Sequence, residues 1–418
     1  MQKPNTNPEV VIIGAGLAGL ACARRLLETQ RSFVILDAAE AVGGRTHTDE
    51  LDGFLLDRGF QTLLTAYPEC RRFLNYRDLN LRMFASGFLI RHEGKFHRMG
   101  GLRTITSGIG TLTDKWRLVT LRAKLQSGDA ERLFNRPEGL TLDLLRWHGF
   151  SDAMIDHYFR PLCGWLLLDR ELTTSSRLFL FMFRMLGDGE IAVPAGGMKS
   201  IAHQFLSLLP AGSERLHSQV TAVAPGRVTL QSGETHEAKA IVVATEAPEA
   251  TRLLGLEAPR PGPGVMCLYF AADRSPLNEP IIVLNAEAGP INHLAVVSDA
   301  SPEYAPAGRS LVCASVLGVT DQDDAALEAD VRGQLTNWFG SVVDSWKHLR
   351  TYRIRRAIPD MTAPALDPAE RPMSMGHGLF VCGDHRDHAG MNGALHSGWR
   401  AAQAVGEYLA AAIPPNLA

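Results

Sequence analysis

The sequence predicts an α/β fold built from a Rossmann-like parallel sheet and a second, discontinuous α+β domain. Three features lead there. Near the N-terminus an apolar run, a glycine turn, a helix and a second strand follow one another within about 30 residues, the length of a βαβ unit. Continuous apolar strands return only far downstream, at Ala240–Ala244 and Gly378–Gly383. Between them the character changes, helical from about residue 101 to 186 and irregular and strand-rich from Pro261 to about Thr320.

Glu9 to Ile13 is continuously apolar after its first residue, the pattern of a strand buried on both faces. Leu17–Glu28 follows as a helix and Ser32–Leu36 as a second strand, and the helical crossover makes the two strands parallel neighbours. Phe84–Met99 reads as a hairpin turning at Glu93-Gly94. The run Leu178-Phe179-Leu180-Phe181-Met182-Phe183 is apolar on every helix face, so it is buried, lines an apolar cavity or touches lipid, with plain burial the default. Val220–Val223 and Val228–Leu230 flank a turn at Pro225-Gly226, Ala325–Phe339 is a helix, and Asn392–Ala412 is another after the strand Gly378–Gly383. Residues 1–62, 190–255 and 355–418 then form the first domain, and 63–189 with 256–354 the second.

At 418 residues, with 45% hydrophobic and 21% charged, the chain can bury a large core and is no disordered polymer. A formal charge of −3, without any Lys/Arg block, argues against nucleic acid as a partner. The six cysteines, Cys22, Cys70, Cys163, Cys267, Cys313 and Cys382, show no C-x-x-C pair or metal-ligand spacing, and buried thiols in a reducing compartment are expected. No uncharged stretch exceeds 14 residues, short of the roughly 18 of a membrane span. Met1–Glu9 has neither a signal-peptide nor a transit-peptide pattern, so the expected address is cytoplasmic, with docking on a membrane through a surface patch left open.

Gly14-Ala15-Gly16-Leu17-Ala18-Gly19 matches the G-x-G-x-x-G fingerprint of dinucleotide binding. Gly108, Gly187, Gly262 and Gly376 also open a G-x-G pair, but only the first has the third glycine, a strand before it and a helix after it. There Gly14 permits the tight turn, Gly16 admits a pyrophosphate to the backbone, and Gly19 lets helix and strand pack closely. The helix N-terminus then offers unpaired N–H groups to phosphate. Asp37, closing the second strand, is placed to accept hydrogen bonds from an adenosine ribose.

Val42-Gly43-Gly44-Arg45-Thr46 follows, and here the sequence resembles the flavoprotein superfamily of flavin-containing amine oxidases, phytoene and carotenoid desaturases and protoporphyrinogen oxidase. The resemblance implies FAD, with Gly43, Gly44 and Arg45 packed on its phosphates and ribityl chain. Leu56-Asp57-Arg58-Gly59-Phe60-Gln61 resembles a segment that passes near the flavin, placing Gly59 and Gln61 there; Val193-Pro194-Ala195-Gly196-Gly197-Met198 resembles a further family element. Val220 and Ala244, from the middle strands, are expected to join the cofactor site. Phe380-Val381-Cys382-Gly383-Asp384, with Met391-Asn392-Gly393-Ala394 after it, resembles the C-terminal flavin signature, implying Gly383, Asp384, Met391, Asn392 and Ala394 as cofactor residues. A helix starting near Asn392 would aim its N–H groups at the flavin edge where negative charge gathers on reduction.

Two departures bear on the reaction. No lysine lies between Lys239 and Lys347, where amine oxidases of this type often place one, and Ala389-Gly390 stands where they commonly have an aromatic. The extra room favours a bulky, largely apolar substrate that loses hydride from a C–H bond to flavin N5, with Phe159, Trp165, Phe179, Phe181 and Phe183 as candidate lining. Alternatives are an amine oxidase, a non-catalytic flavoprotein or lipophile carrier, and an NAD-only dehydrogenase. His385, His388 and His396 are candidate acids or bases, although satisfied structural histidines are the commoner outcome. Arg160, Arg184 and Arg386 either orient an anionic group or pair with Asp169, Asp188 and Asp387. No catalytic base and no metal site is assigned, and the electron acceptor stays open.

Overall fold

The computed structural model describes residues 8–101 and 103–411; most of the polar N-terminal segment and Ala412 lie outside them. Strand β1 (Val10–Ile13), helix α1 (Leu17–Glu28) and strand β2 (Phe33–Leu36) form the expected βαβ unit, with Val10 in parallel register with Phe33. On its other side β1 pairs in parallel with Ala240–Val243, which pairs in parallel with Leu379–Val381. Glu214–Arg215 and Ser374–Gly376 complete a six-stranded sheet whose central strands are buried on both faces. That burial is why they read as continuous apolar runs without alternation.

A seven-stranded sheet is assembled from Phe88–His92, Lys95–Met99, Val265–Ala272, Ile282–Asn285, Ile291–Val296, Ser310–Leu317 and Lys347–Ile354. Its first two strands are the hairpin anticipated at Glu93-Gly94, where both residues adopt positive φ, 49° and 71°, as a tight two-residue hairpin turn requires. The period-2 rule sorts the sheet's side chains. Met266, Leu268, Phe270, Leu294, Val312 and Ala314 pack against Leu327, Val331, Leu335 and Trp338 of helix Asp324–Phe339. The alternate set, including Val265, Cys267, His293, Ala295, Cys313 and Ser315, faces the other way, toward the first sheet and the helices of residues 103–188.

The helix Met391–Ala411 lies along α1, and the contact is close enough that a Cβ built at Gly398 would overlap the carbonyl oxygen of Ala18. Segments from both ends of the chain thus cover one face of the first sheet. All six cysteines are buried free thiols, and among the described residues no helix is long and apolar enough to cross a membrane.

Candidate functional site

A cleft of about 480 Å³ runs between the two sheets. One end begins at the β1–α1 turn. Gly14 has φ +109°, and a Cβ there would sit 2.8 Å from the Ala244 carbonyl oxygen; a Cβ on Gly19 would overlap the Gly14 carbonyl. Gly16 is different: its Cβ direction meets nothing within 4 Å and opens into the cleft at the N-terminus of α1. The three glycines therefore divide as the fingerprint demands, two for close backbone packing and one for ligand approach.

Asp37 lines this end. Its carboxylate accepts the Ala15 N–H at 2.6 Å and the Ala39 N–H at 2.7 Å, which fixes it while leaving lone pairs toward the cleft. Gly43 reaches positive φ and donates its N–H to the Ala15 carbonyl at 2.8 Å, so the second glycine element is held against the first. Arg45 follows. Its guanidinium lies 2.7 Å from Asp384 Oδ2 and 3.7 Å from Glu246, and donates to the Ala357 carbonyl at 2.8 Å. Burial works against the charge on Arg45, and the Asp384 carboxylate more than offsets it, so its pKa is raised.

Gly383, at φ +144°, donates its N–H to Ser397 Oγ at 2.9 Å, locking the turn after Leu379–Val381 onto the last helix. That helix begins at Met391, and Gly390, Met391 and Ala394 line the cleft, so its N-terminus faces the ligand space as expected. Of the residues expected to hold the cofactor, Gly14, Gly16, Asp37, Gly43, Gly44, Arg45, Gly59, Gln61, Ala244, Gly383, Asp384, Met391 and Ala394 come together on this surface. Gly19 acts behind it. Val220 does not reach it: its side chain is buried with Val228 and Leu230 beneath a separate three-stranded sheet, and its carbonyl accepts from Arg252. Asn392 also turns away, accepting the Glu69 N–H at 3.0 Å and bonding His388.

The cleft's other end is apolar, walled by Leu64, Tyr67, Trp165, Leu166, Leu168 and Met182. Of the aromatic lining expected from the helical segment only Trp165 takes part. Phe179 and Phe183 stack on each other at 5.5 Å and Phe159 joins them, while Phe181 stacks on Tyr67 at 6.2 Å. A helix apolar all round buries most of its faces in core and presents one residue, here Met182, to the cavity. Tyr67 donates to Met182 Sδ at 3.1 Å, fixing both at the wall.

His293, which carries no motif, is the titratable group of the sheet wall. Its Nδ1 faces the Asn292 amide nitrogen at 3.1 Å, which assigns the proton to Nε2. Burial pushes its pKa down to about 3, so it is a neutral hydrogen-bond donor at physiological pH. Asn292 is itself held by the Pro161 carbonyl and Arg170, tying His293 to the helix that carries Trp165. The only visible signal was a polar Asn-His pair inside an apolar strand.

The other candidates lie elsewhere. His388 is buried between Phe134 and Phe181, and its pKa is lowered by that burial. His396 pairs with Asp387 at 2.7 Å, and against the pull of burial this carboxylate raises its pKa. His385 lines a second cavity of about 500 Å³ that meets the cleft at Arg45, Glu246 and Asp384. Arg184 pairs with Asp188 as foreseen, but Arg160 pairs with Asp156, and Arg386 donates to the Pro372 carbonyl. Asp169 and Asp387 are instead satisfied by backbone N–H groups and by His396, respectively. Asp57 is buried and accepts from Thr48, the Met198 N–H and Tyr304, so the Val193–Met198 element is a latch on the Thr48–Asp57 hairpin. The latch holds Arg58 and Gly59 at the cleft.

A long dinucleotide fits this surface. Two carboxylates flank an arginine, Gly16 leaves open backbone at a helix N-terminus, and buried Asp384 Oδ2 accepts no hydrogen bond beyond its ion pair with Arg45. The comparisons agree. The family model described as flavin containing amine oxidoreductase matches residues 17–406. A probable polyamine oxidase 4 of Arabidopsis thaliana is 43% identical over 60 residues, 14% of this chain and 12% of that protein. Putrescine oxidase of Kocuria rosea is 28% identical over 146 residues, 34% of this chain and 30% of its own. These matches thus span less than a third of either relative. An oxidoreductase from Methanosarcina mazei, 19% identical, superposes with a TM-score of 0.72 over 95% of this chain and 99% of its own, a likeness of fold.

Proposed function

The chain belongs to the flavin containing amine oxidoreductase family, whose members use FAD as the redox group, and on that premise we propose that it is an FAD-dependent oxidoreductase that dehydrogenates a bulky, largely apolar substrate. FAD, when bound, would supply the two-electron step by accepting hydride from a substrate C–H bond, the second hydrogen leaving as a proton. The chain's residues hold, orient and exclude water. Gly14, Gly16, Asp37, Gly43, Arg45, Gly383 and Asp384 are proposed to hold the cofactor, and Tyr67, Trp165, Leu166, Leu168 and Met182 to enclose the substrate.

One observation carries the substrate class. Gly390 lines the cleft with its Cβ direction open, and among the described residues no lysine lines it. With a pKa of about 3, His293 is too weak a base to take a proton from an ammonium, and the apolar end has no fixed anion to bind one. The apolar lining supports a substrate recognised by burial.

Anaerobic titration tests this. Bleaching of the bound flavin by a conjugated polyene or a reduced tetrapyrrole, and not by putrescine or spermidine, is the expected outcome. Bleaching by the polyamines alone would instead support the amine-oxidase reading that the relatives' names suggest. No bleaching with any ligand that binds would make the protein a carrier.

A further inference from the structure

The segment from Arg103 to Trp147 exposes apolar side chains that its own fold leaves uncovered. Helix Leu112–Leu125 buries Leu118, Leu121 and Leu125 in the core, while on the opposite face Leu112, Trp116 and Val119, at i, i+4 and i+7, form a stripe exposed at 72%, 69% and 63%. Trp147 is exposed at 80% and Ile105 at 57%. Large aromatic and aliphatic residues seldom stand that far out of a soluble surface together.

Buried clamps gather them. Lys115 donates to the carbonyls of Ile105 and Ser107 at 3.0 and 2.6 Å, holding Ile105 beside the helix start. Asp114 accepts from Thr111 and from the Ser151 N–H and hydroxyl, and Arg117 donates to the Gly149 carbonyl, which ties the turn after Trp147 to the same helix. The helix's own ionised groups other than buried Asp114 are all basic: Lys115, Arg117, Arg122 and Lys124. Around it Arg103, Arg132, Arg136 and Arg146 are exposed and form no ion pair among the described residues, against exposed Asp129, Glu131, Asp143 and Asp152, so the excess of positive charge comes from the helix itself. A basic rim on a chain of net charge −3 is a local asymmetry.

We propose that this face docks on an anionic membrane surface, with Leu112, Trp116, Val119 and Trp147 entering the headgroup region and the arginines and Lys124 meeting lipid phosphates. Interfacial apolar residues flanked by cations bind such surfaces by combined burial and charge attraction. A protein partner would leave the basic rim unexplained unless it too were acidic. The docked helix is one layer from the cleft: Arg122 lies 5.3 Å over the Phe183 ring, on the helix that presents Met182 to the cavity.

Flotation of the flavin-loaded protein with vesicles of phosphatidylcholine, alone or with about 30 mol% phosphatidylglycerol, tests this directly. Wild type should float with the anionic vesicles and lose most of that binding at high salt. W116S/V119S and W147S should each lower the bound fraction by ~10-fold at unchanged melting temperature and flavin content, while V342S, exposed outside this segment, should not. Absence of wild-type binding to both vesicle types overturns the proposal, as does full binding by W116S/V119S. Light scattering on the same variants completes the test: a dimer that W116S/V119S splits, without vesicle binding, would assign the stripe to a second copy of the chain and overturn it too.

Discussion

Asp384 Oδ2 sits 2.7 Å from the Arg45 guanidinium, so the turn after β2 and the turn after Leu379–Val381 are joined by a charge pair where the cleft meets the second cavity. Asp384 is almost fully buried and Arg45 about one-third exposed. Removing the cation strands a buried carboxylate, which costs about 2–4 kcal/mol once the exposure of Arg45 is discounted. R45M should therefore lower both the melting temperature and FAD affinity. R45M/D384N should recover stability and not affinity, as chemical denaturation and flavin fluorescence quenching would show.

Gly16 and Gly19 separate ligand approach from packing. G16A adds a methyl to open cleft at an ordinary φ of −72°, so stability should change by less than ~1 kcal/mol while FAD affinity falls ~10-fold or more. G19A drives a methyl into the Gly14 carbonyl and should destabilise the apo-protein itself. Equal melting temperatures for apo G16A and apo G19A would contradict this division.

Gly390 has φ +101°, so any side chain there carries a backbone cost of about 1–2 kcal/mol. G390A and G390F share that cost. Their difference reports the space over the cleft: flavin reduction by a bulky apolar substrate should survive in G390A and fall by ~10-fold or more in G390F, with FAD content equal in both.

Asp57 sets a pH dependence of stability. Burial raises its pKa to about 6, above the unfolded value near 3.8, so the folded protein holds this proton more tightly. The contribution grows as pH falls from above 6 toward 4 and is lost as pH rises back through 6, up to about 3 kcal/mol. Wild type minus D57N, followed by urea denaturation from pH 4.5 to 8, should show this slope. Asn keeps acceptors for Thr48 and the Met198 N–H, so a parallel pair of curves would rule it out.

His293 should be silent in the pH profile. A pKa of about 3 keeps the ring neutral from pH 5 to 9, so wild type and H293Q should share the shape of flavin-reduction rate against pH. H293L should instead cost about 1–3 kcal/mol, because buried Asn292 loses a partner.

The glycine-turn half of the cleft was legible as structure because its information is local. Gly14, Gly16, Gly19 and Asp37 act through backbone turns whose geometry is written in a few consecutive residues, and the positive φ values at Gly14, Gly43 and Gly383 appear where glycines stand in the chain. The apolar half was not. Phe179, Phe181 and Phe183 share a composition with Trp165 and Met182, and only packing decides which of them meets the cavity. His293 reaches the site because its strand's odd face happens to point there, a fact of sheet register over long separations. Val220 lies off the cleft for the complementary reason: its apolar strand pattern is real, but it serves a small separate sheet.

The close seat of Gly398 on Ala18 has a consequence for biosynthesis. The first βαβ unit is synthesised long before the strand Leu379–Val381 that joins its sheet and the helix Met391–Ala411 that packs on Ala18. A nascent chain therefore presents the phosphate turn long before Asp384 and the last helix can close over a ligand. Flavin loading is therefore expected to follow synthesis of the last helix, and ribosome-stalled chains ending before residue 398 should retain no FAD.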